Sequence, residues 1–285
     1  MESSNSLKIG VVVHYTGSVP STAATLDSLT RQDIFPCVVV VAGANVKEFT
    51  GPDDFRRYPL KLEHIQSDEN AGRAGAYNAG IAFALKSGAA YILLLQGGLI
   101  ADKALLSSLQ EISRKLGDHV VVGARIFSDR EPWKVLNGGI HWDAAESTWL
   151  PLRYAERGAE EPLVLGDPVE SVSGSAMFFS RAAIDSAGYF DPLFASSLED
   201  IDWCSKARAA GFRCVAGSKT IVWAGEYHQG LLHETAEDAY LKSRNQFIWA
   251  GRYLINADRR RFYRDALAKT IKNDFLSVRF SVPRS

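Results

Sequence analysis

Over the first hundred residues, short runs of consecutive apolar residues alternate with longer stretches of helical periodicity. This alternation limits the possible folds more than any other feature. Residues 7–13, LKIGVVV, Pro36–Val41, Leu60–Gln66 and Tyr91–Leu95 read as strands. Most of these lack polar alternation, the pattern expected of strands buried on both faces of a parallel sheet. Ser21–Gln32, with apolar residues at Ala24, Leu26 and Leu29, reads as a helix. So does Asn70–Lys86, which enters from a loop and stops at Gly88. Strand and helix in alternation imply βαβ units and an α/β fold. In open sheets of this kind ligands bind beyond the carboxyl ends of the strands. That places four loops on one rim: His14–Ser18, Ala42–Asn45, Asn70–Gly75 and Gln96–Gly98.

The rest of the chain is less regular. Ala104–Leu116 is helical by pattern and His119–Arg125 returns as a strand. Ser128–Asp167 reads as a hairpin or loop insertion around the Asn137-Gly138-Gly139 turn signal. Val169–Ser180 is strand-like, and Phe212–Val215 and Thr220–Trp223 are short strands. From His233 the sequence is long, charged and helix-prone. The expected division is one domain over residues 6–230 and a helical extension over 231–285.

Composition excludes several classes. The 285 residues are 46% hydrophobic and 23% charged, enough to bury a sizeable core. The net charge of -1 gives no global pull toward nucleic acid, so none is expected as a partner. Cys37, Cys204 and Cys214 lie far apart, which fits a reducing compartment rather than a disulfide scaffold or zinc site. MESSNSLKIG lacks the basic and apolar regions of a signal peptide. The apolar runs are far short of a membrane span, so a cytoplasmic protein is expected.

Three stretches carry candidate chemistry, each with a plain structural alternative. In Asn70-Ala-Gly-Arg-Ala-Gly-Ala-Tyr-Asn78-Ala-Gly-Ile, glycines would let backbone approach a ligand, and a helix start would offer free N–H groups. A glycine-rich helix start is the alternative. In Leu198-Glu199-Asp200-Ile201-Asp202-Trp203 a carboxylate could serve as a general base. Ser197 to Asp200 also fits a capping box on a helix whose apolar stripe is Ile201, Cys204 and Ala207. The third is Tyr240-Leu-Lys-Ser-Arg244-Asn245, followed by the basic aromatic cluster Arg259–Arg264. A solvated helix face, a membrane contact and a partner contact are all open there.

Taken together, these pieces are more specific than any one of them. Val169–Arg181, then Ala187-Gly-Tyr-Phe-Asp191, then Glu199-Asp200-x-Asp202, then Arg208-x-x-Gly211-Phe stand in an order and spacing that resembles the family 2 glycosyltransferases. Tyr240-x-x-x-Arg244-Asn245 resembles a segment of their rhamnosyltransferase-like members. The resemblance implies a GT-A fold, the nucleotide-diphospho-sugar transferase fold. It has a mostly parallel central sheet flanked by helices, here with a C-terminal helical extension. It also implies an inverting transferase that moves a sugar from a nucleotide-diphosphate donor to a hydroxyl acceptor. That acceptor would be a glycan, a lipid-linked sugar or a small molecule, in glycan or natural-product biosynthesis. By the same resemblance Asp200 is the base and Glu199 orients it or the acceptor. Donor contacts fall on His14, Tyr15, Ala42, Asn70, Arg73, Asn78, Gln96 and Gly98. Acceptor contacts fall on Gly174, Asp191, Trp203 and His228. A homodimer, or a peripheral membrane contact through the C-terminal helices, is left open.

The departures fall on the donor side. The family usually follows its fourth strand with an Asp-x-Asp-like motif that holds a divalent metal. Here Gln96-Gly97-Gly98 stands there, and none of these is a strong ligand for a hard cation. No metal site is therefore expected, although Mg or Mn remains open. The second strand ends in Ala42-Gly43 where the family has an acid, and the family's late histidine has no match in register. Three readings follow. The enzyme is metal-independent, with Arg73, Arg125, Lys134 or a histidine steadying the leaving group. Or it uses an unusual donor. Or it is a catalytically degenerate protein that binds sugar or serves as an assembly subunit.

Overall fold

A computed structural model describes residues 8–49, 58–68, 71–152, 165–225 and 236–280. The first half is the expected βαβ series: β1 (Ile9–His14), α1 (Val19–Leu29), β2 (Val38–Gly43), β3 (Leu62–Gln66), α2 (Gly72–Lys86) and β4 (Tyr91–Gln96). Then come β5 (Leu99–Ala101), α3 (Leu105–Leu116), β6 (Val120–Ser128) and β7 (Val135–Asn137). The 128–167 region contains the hairpin β8 (Ile140–Asp143) and β9 (Thr148–Pro151) and ends in β10 (Gly166–Val169). The chain continues with β11 (Ala176–Ser180), α4 (Arg181–Ala187), α5 (Glu199–Ala209), β12 (Arg213–Ala224), α6 (Ala236–Tyr253) and α7 (Asn256–Phe280).

Ten strands form one sheet in the order β10-β12-β6-β11-β4-β1-β2-β3, with β5 added on β12 and β7 on β6. The β4-β1-β2-β3 side is parallel throughout, and β12 runs parallel to β6. β11 lies antiparallel between β4 and β6. The apolar runs are explained by their two faces. Val11 and Val13 of β1 pack with Leu26, Leu29, Leu105 and Leu109 on one side of the sheet. Val12 packs with Tyr77, Ile81 and Trp203 on the other. A strand covered on both sides has no position where a polar residue is tolerated.

Two expectations for the second half are corrected. Val169–Ser180 is not one strand: β10 ends at Val169 and β11 begins at Ala176, with a turn around Gly174 between them. Phe212–Val215 and Thr220–Trp223 are not two strands but parts of the single β12, whose register against β6 shifts between Ala216 and Ile221. The C-terminal helices pack on the sheet domain. Trp249, Ala250 and Phe262 join Ile140, Phe194, Leu198 and Ile201 in a third apolar cluster. In the basic aromatic stretch Phe262 is therefore turned inward, while Arg264 pairs with Asp265 at 3.1 Å. No helix among the described residues is long and apolar enough to cross a membrane.

Candidate active site

The strand ends of β1 and β2 and the start of α2 meet at a pocket of about 320 Å³. His14, Tyr15, Thr16, Gly17, Ala44 and Asn45 form its sheet side. Asp68, Gly72, Arg73 and Ser196 close the other. Three of the four loops expected on the rim are thus brought together. Gln96–Gly98 does not line the pocket. It touches two residues that do, through Gln96 Oε1 to Arg73 and through Gly97 N to His14 O at 2.9 Å.

Arg73 is the hub. Its Nε is ion-paired with Glu199 Oε1, and its Nη1 donates to Gln96 Oε1 at 3.2 Å. Ser175 Oγ donates to the same Gln96 oxygen at 2.8 Å. The guanidinium therefore stands against the exit of β4. Burial opposes its charge, but the Glu199 carboxylate and then that of Asp200 outweigh this and raise its pKa. Glu199 is fully buried, and burial pushes its carboxyl up against the opposing pull of Arg73. His14 is held neutral, its pKa lowered to about 3 by burial and then by Arg73. Three buried atoms here have no hydrogen-bond partner: His14 Nδ1, Thr16 Oγ1 and Glu199 Oε2. Unsatisfied buried polar atoms are costly and rare, so three within one region set it apart from the rest of the core.

The residues at the exit of β4 do not fit a divalent cation. Gly98 has φ +99°, a conformation that L side chains rarely adopt, and its N–H donates to Thr25 Oγ1 at 2.9 Å. At Gly97 a Cβ would lie 2.9 Å from His14 O and 3.1 Å from Thr22 Oγ1. An acid would be strained by backbone conformation at Gly98 and crowded by packing at Gly97. Among the described residues no group of three or more His, Cys, Asp or Glu side chains is placed to hold a metal. Gly98→Asp is accordingly expected to lower stability by about 1–3 kcal/mol without creating a metal site. A thermal melt with and without Mn2+ checks this, and a Mn2+-dependent rise in Tm would show the steric account to be wrong.

The start of α2 departs from expectation. Two of its first-turn N–H groups are already used: Arg73 N donates to Ser196 Oγ at 3.2 Å and Ala74 N to Ala195 O at 2.8 Å. Gly72, at φ +56°, lets the loop come close, since a Cβ there would sit 2.7 Å from the Ala195 carbonyl carbon. The glycine permits a backbone-to-backbone approach at the edge of the pocket.

Asp200 sits at the first turn of α5 and is 6% exposed. Its Oδ2 accepts from Gly174 N at 2.8 Å, and its Oδ1 accepts from Ile201 N at 2.9 Å. Tyr77 OH donates to Gly174 O at 2.7 Å, so the turn that holds the carboxylate is itself pinned. The capping box expected from Ser197 does not form. The cap residue is Leu198 in a left-handed conformation, with no side-chain cap bond. Asp200 itself satisfies the first-turn N–H of Ile201, and Glu199 is paired with Arg73.

Other expected site residues have structural occupations. Trp203 is fully buried and donates to Gly188 O at 2.8 Å, which leaves no surface for an acceptor. Asn78 clamps Phe190, donating to its O and accepting from its N, both at 2.9 Å. Ala42 is buried in β2, and its carbonyl accepts from Tyr15 N at 2.8 Å. Asp191 accepts from Leu193 N at 2.9 Å and pairs with Arg252 at 2.8 Å. Arg125 pairs with Asp167 and Lys134 with Glu131, both at 2.7 Å, away from the pocket. Asn70 and His228 lie outside the described residues.

Asn245 stands in a motif-like stretch of the sequence, but its role is not legible there. It is fully buried in α6 and its Nδ2 donates to Phe194 O, Ser196 O and Ser197 O at 2.7, 3.0 and 2.7 Å. Arg244 Nε donates to its Oδ1 at 3.0 Å. The loop it holds contains Ala195, Ser197 and Leu198, all non-glycine residues at positive φ. That loop supplies Ser196 to the pocket and leads into Glu199 and Asp200. Asn245→Ala leaves buried carbonyls unsatisfied and is expected to cost about 3 kcal/mol. Asn245→Asp, which presents an acceptor to the same carbonyls, should cost more. Urea unfolding of both variants checks the order.

No family model matches the chain, and no curated protein matches it. Solved structures do. GalNAc-T7 bound to UDP, GalNAc and Mn2+ aligns over 93% of this chain and 55% of its own, with a TM-score of 0.64 at 14% identity. The mannosyltransferase PcManGT from Pyrobaculum calidifontis, bound to GDP-Man and Mn2+, aligns over 93% of this chain and 70% of its own, with a TM-score of 0.56 at 16% identity. S. aureus TarS 1-349 in complex with UDP aligns over 92% and 71%, with a TM-score of 0.52 at 17% identity. The chain thus spans only about half of the GalNAc-T7 chain. With its α/β layers and half-parallel sheet, the chain has the GT-A glycosyltransferase fold.

Proposed function

We propose that the chain is an inverting glycosyltransferase that uses a nucleotide-sugar donor and a hydroxyl acceptor without a bound metal. The observation that carries this reading is Arg73, whose guanidinium joins Gln96 to Glu199 beside a pocket containing unpartnered His14 Nδ1 and Thr16 Oγ1. Its fixed positive charge takes the position a metal would hold against the donor diphosphate. A preorganised cation there stabilises charge that develops on a leaving group. The acceptor hydroxyl oxygen bonds to the anomeric carbon as the carbon–oxygen bond to the diphosphate breaks. The diphosphate leaves with the electron pair, and the hydroxyl proton passes to Asp200. Each carboxylate oxygen of Asp200 accepts one backbone N–H and retains a second lone pair for that proton. Glu199 acts as a positioning residue that holds Arg73. The nucleotides bound by the structural neighbours, UDP and GDP-Man, suggest the donor class. The hydroxyl acceptor, and a homodimer or a peripheral membrane contact through the C-terminal helices, belong to the same proposal.

A second reading is a degenerate protein that binds sugar without transferring it. Two observations favour it. Asp200 does not line the pocket, and two N–H groups at the start of α2 are consumed within the chain. Calorimetric titration of UDP-, GDP- and dTDP-sugars, with EDTA and then with Mg or Mn, tests the proposal. Binding of one donor in EDTA, with release of its nucleoside diphosphate in the presence of acceptor, is expected. Binding without any turnover favours the second reading, and no binding in either condition rejects both.

A further inference from the structure

A second cleft, of about 430 Å³, opens between the β8–β9 hairpin, the last turns of α5, and α6. Its walls include Trp142 and Trp149 from the hairpin, Trp249 from α6, Ser205 and Arg208 from α5, and Glu170 just after β10. None of these residues lines the rim pocket, and the proposed reaction uses none of them. Along α5, Arg208 lies roughly 13 Å from Glu199 at 1.5 Å per residue.

We propose that this cleft is a saccharide-binding site for a neutral pyranose unit. Three tryptophans meet there, with ring centroids 5.5 Å apart for Trp142–Trp149, 5.0 Å for Trp142–Trp249 and 4.8 Å for Trp149–Trp249. All three belong to or pack against the third apolar cluster, yet Trp142 and Trp149 remain half-buried and border open space. The rings are held in place. Trp249 Nε1 donates to Ser205 Oγ at 3.1 Å, and the Trp142 backbone N–H donates to Glu170 Oε2 at 2.5 Å. Trp149 Nε1 is buried among these side chains with no acceptor.

Charge narrows the ligand class. Glu170 and Arg208 stand side by side, with Arg208 Nη1 donating to the Glu170 carbonyl at 3.3 Å. An anion would be repelled by the carboxylate and a cation by the guanidinium. A neutral ligand with hydroxyls satisfies both, and the apolar face of a pyranose suits flat aromatic rings. The volume falls within the range of small-molecule sites. A saccharide here would be a remote unit of the acceptor if the transferase reading holds, but binding itself does not depend on that reading.

The experiment is saturation-transfer NMR and tryptophan fluorescence on the full chain, with gluco-, galacto- and manno-configured di- and trisaccharides. Saturable binding of at least one is expected. It should weaken about tenfold in Trp142→Ala and in Arg208→Ala. It should be unchanged in Arg73→Met, which separates it from the donor pocket. Arg208 is exposed, so Arg208→Ala keeps the test valid even if Trp142→Ala fails to give a cooperative melt. The proposal is overturned if no saccharide of the panel binds, if binding survives Arg208→Ala, or if a nucleoside diphosphate alone displaces it. Donor titration in the same samples reads the transferase proposal separately.

Discussion

Arg73→Met should reduce kcat/KM for sugar transfer by about 10²–10³, the usual loss when one preorganised charge stabiliser is removed. Methionine keeps the length of the stem and removes the charge and the fork. It also leaves Glu199 fully buried without its partner. Removing one member of a buried pair costs about 3–5 kcal/mol. The cost here should sit at the low end, for two reasons. The Arg73 side chain is 20% exposed, and the Glu199 carboxyl is already pushed upward by burial, so it can take a proton instead of remaining charged. The double variant Arg73→Met/Glu199→Gln should therefore regain most of the stability and none of the turnover. Arg73→Lys keeps one charge but cannot reach Gln96 and Glu199 together, because an ammonium lacks the planar fork. Urea midpoints and kcat/KM for the four proteins separate the two roles. If Arg73→Met turns over within a few-fold of wild type, the guanidinium is not what steadies the leaving group.

Asp200→Asn should lower kcat by about 10²–10⁴, the range for loss of a general base, with KM for the donor little changed. The substitution is nearly isosteric. The amide oxygen can still accept from one of the two backbone N–H groups, Gly174 N or Ile201 N. The NH2 group then faces the other as a donor facing a donor, which costs about 1–2 kcal/mol. The fold should survive, since Tyr77 OH independently holds the Gly174 turn at 2.7 Å. Turnover within a few-fold of wild type, in a protein with an unchanged melt, would remove Asp200 from the role of base. Activity retained in Asp200→Asn but lost in Glu199→Gln would move that role to Glu199, whose Oε2 is buried without a partner.

The parallel half of the fold was legible because its signal is local. A strand covered on both faces, such as Val38–Gly43, must be apolar at every position, so burial is written directly into adjacent residues. The antiparallel half was harder. The break between β10 and β11 and the continuity of β12 depend on which strands lie alongside, and β11 is placed by pairing with both β4 and β6. No short window of sequence contains that information.

The site divides in the same way. The sequence offered Glu199 and Asp200 as carboxylates, and its resemblance to family 2 glycosyltransferases singled them out, made Arg73 a candidate cation and drew attention to the lack of metal-ligating side chains at Gln96-Gly97-Gly98. Those are statements about which chemical groups the chain possesses, and the chain order decides them. Only the tertiary structure brought Arg73 and Glu199, 126 residues apart, into one ion pair. Only it turned Trp203 and Asn78 into packing and clamping residues, and set Asn245 beneath a loop of positive-φ residues. The absence of an acid after β4 likewise gained its reason from the fold, where Gly98 adopts φ +99° beneath α1. A side chain's chemistry belongs to its residue, but its partners, its exposure and its backbone conformation are set by neighbours distant in sequence.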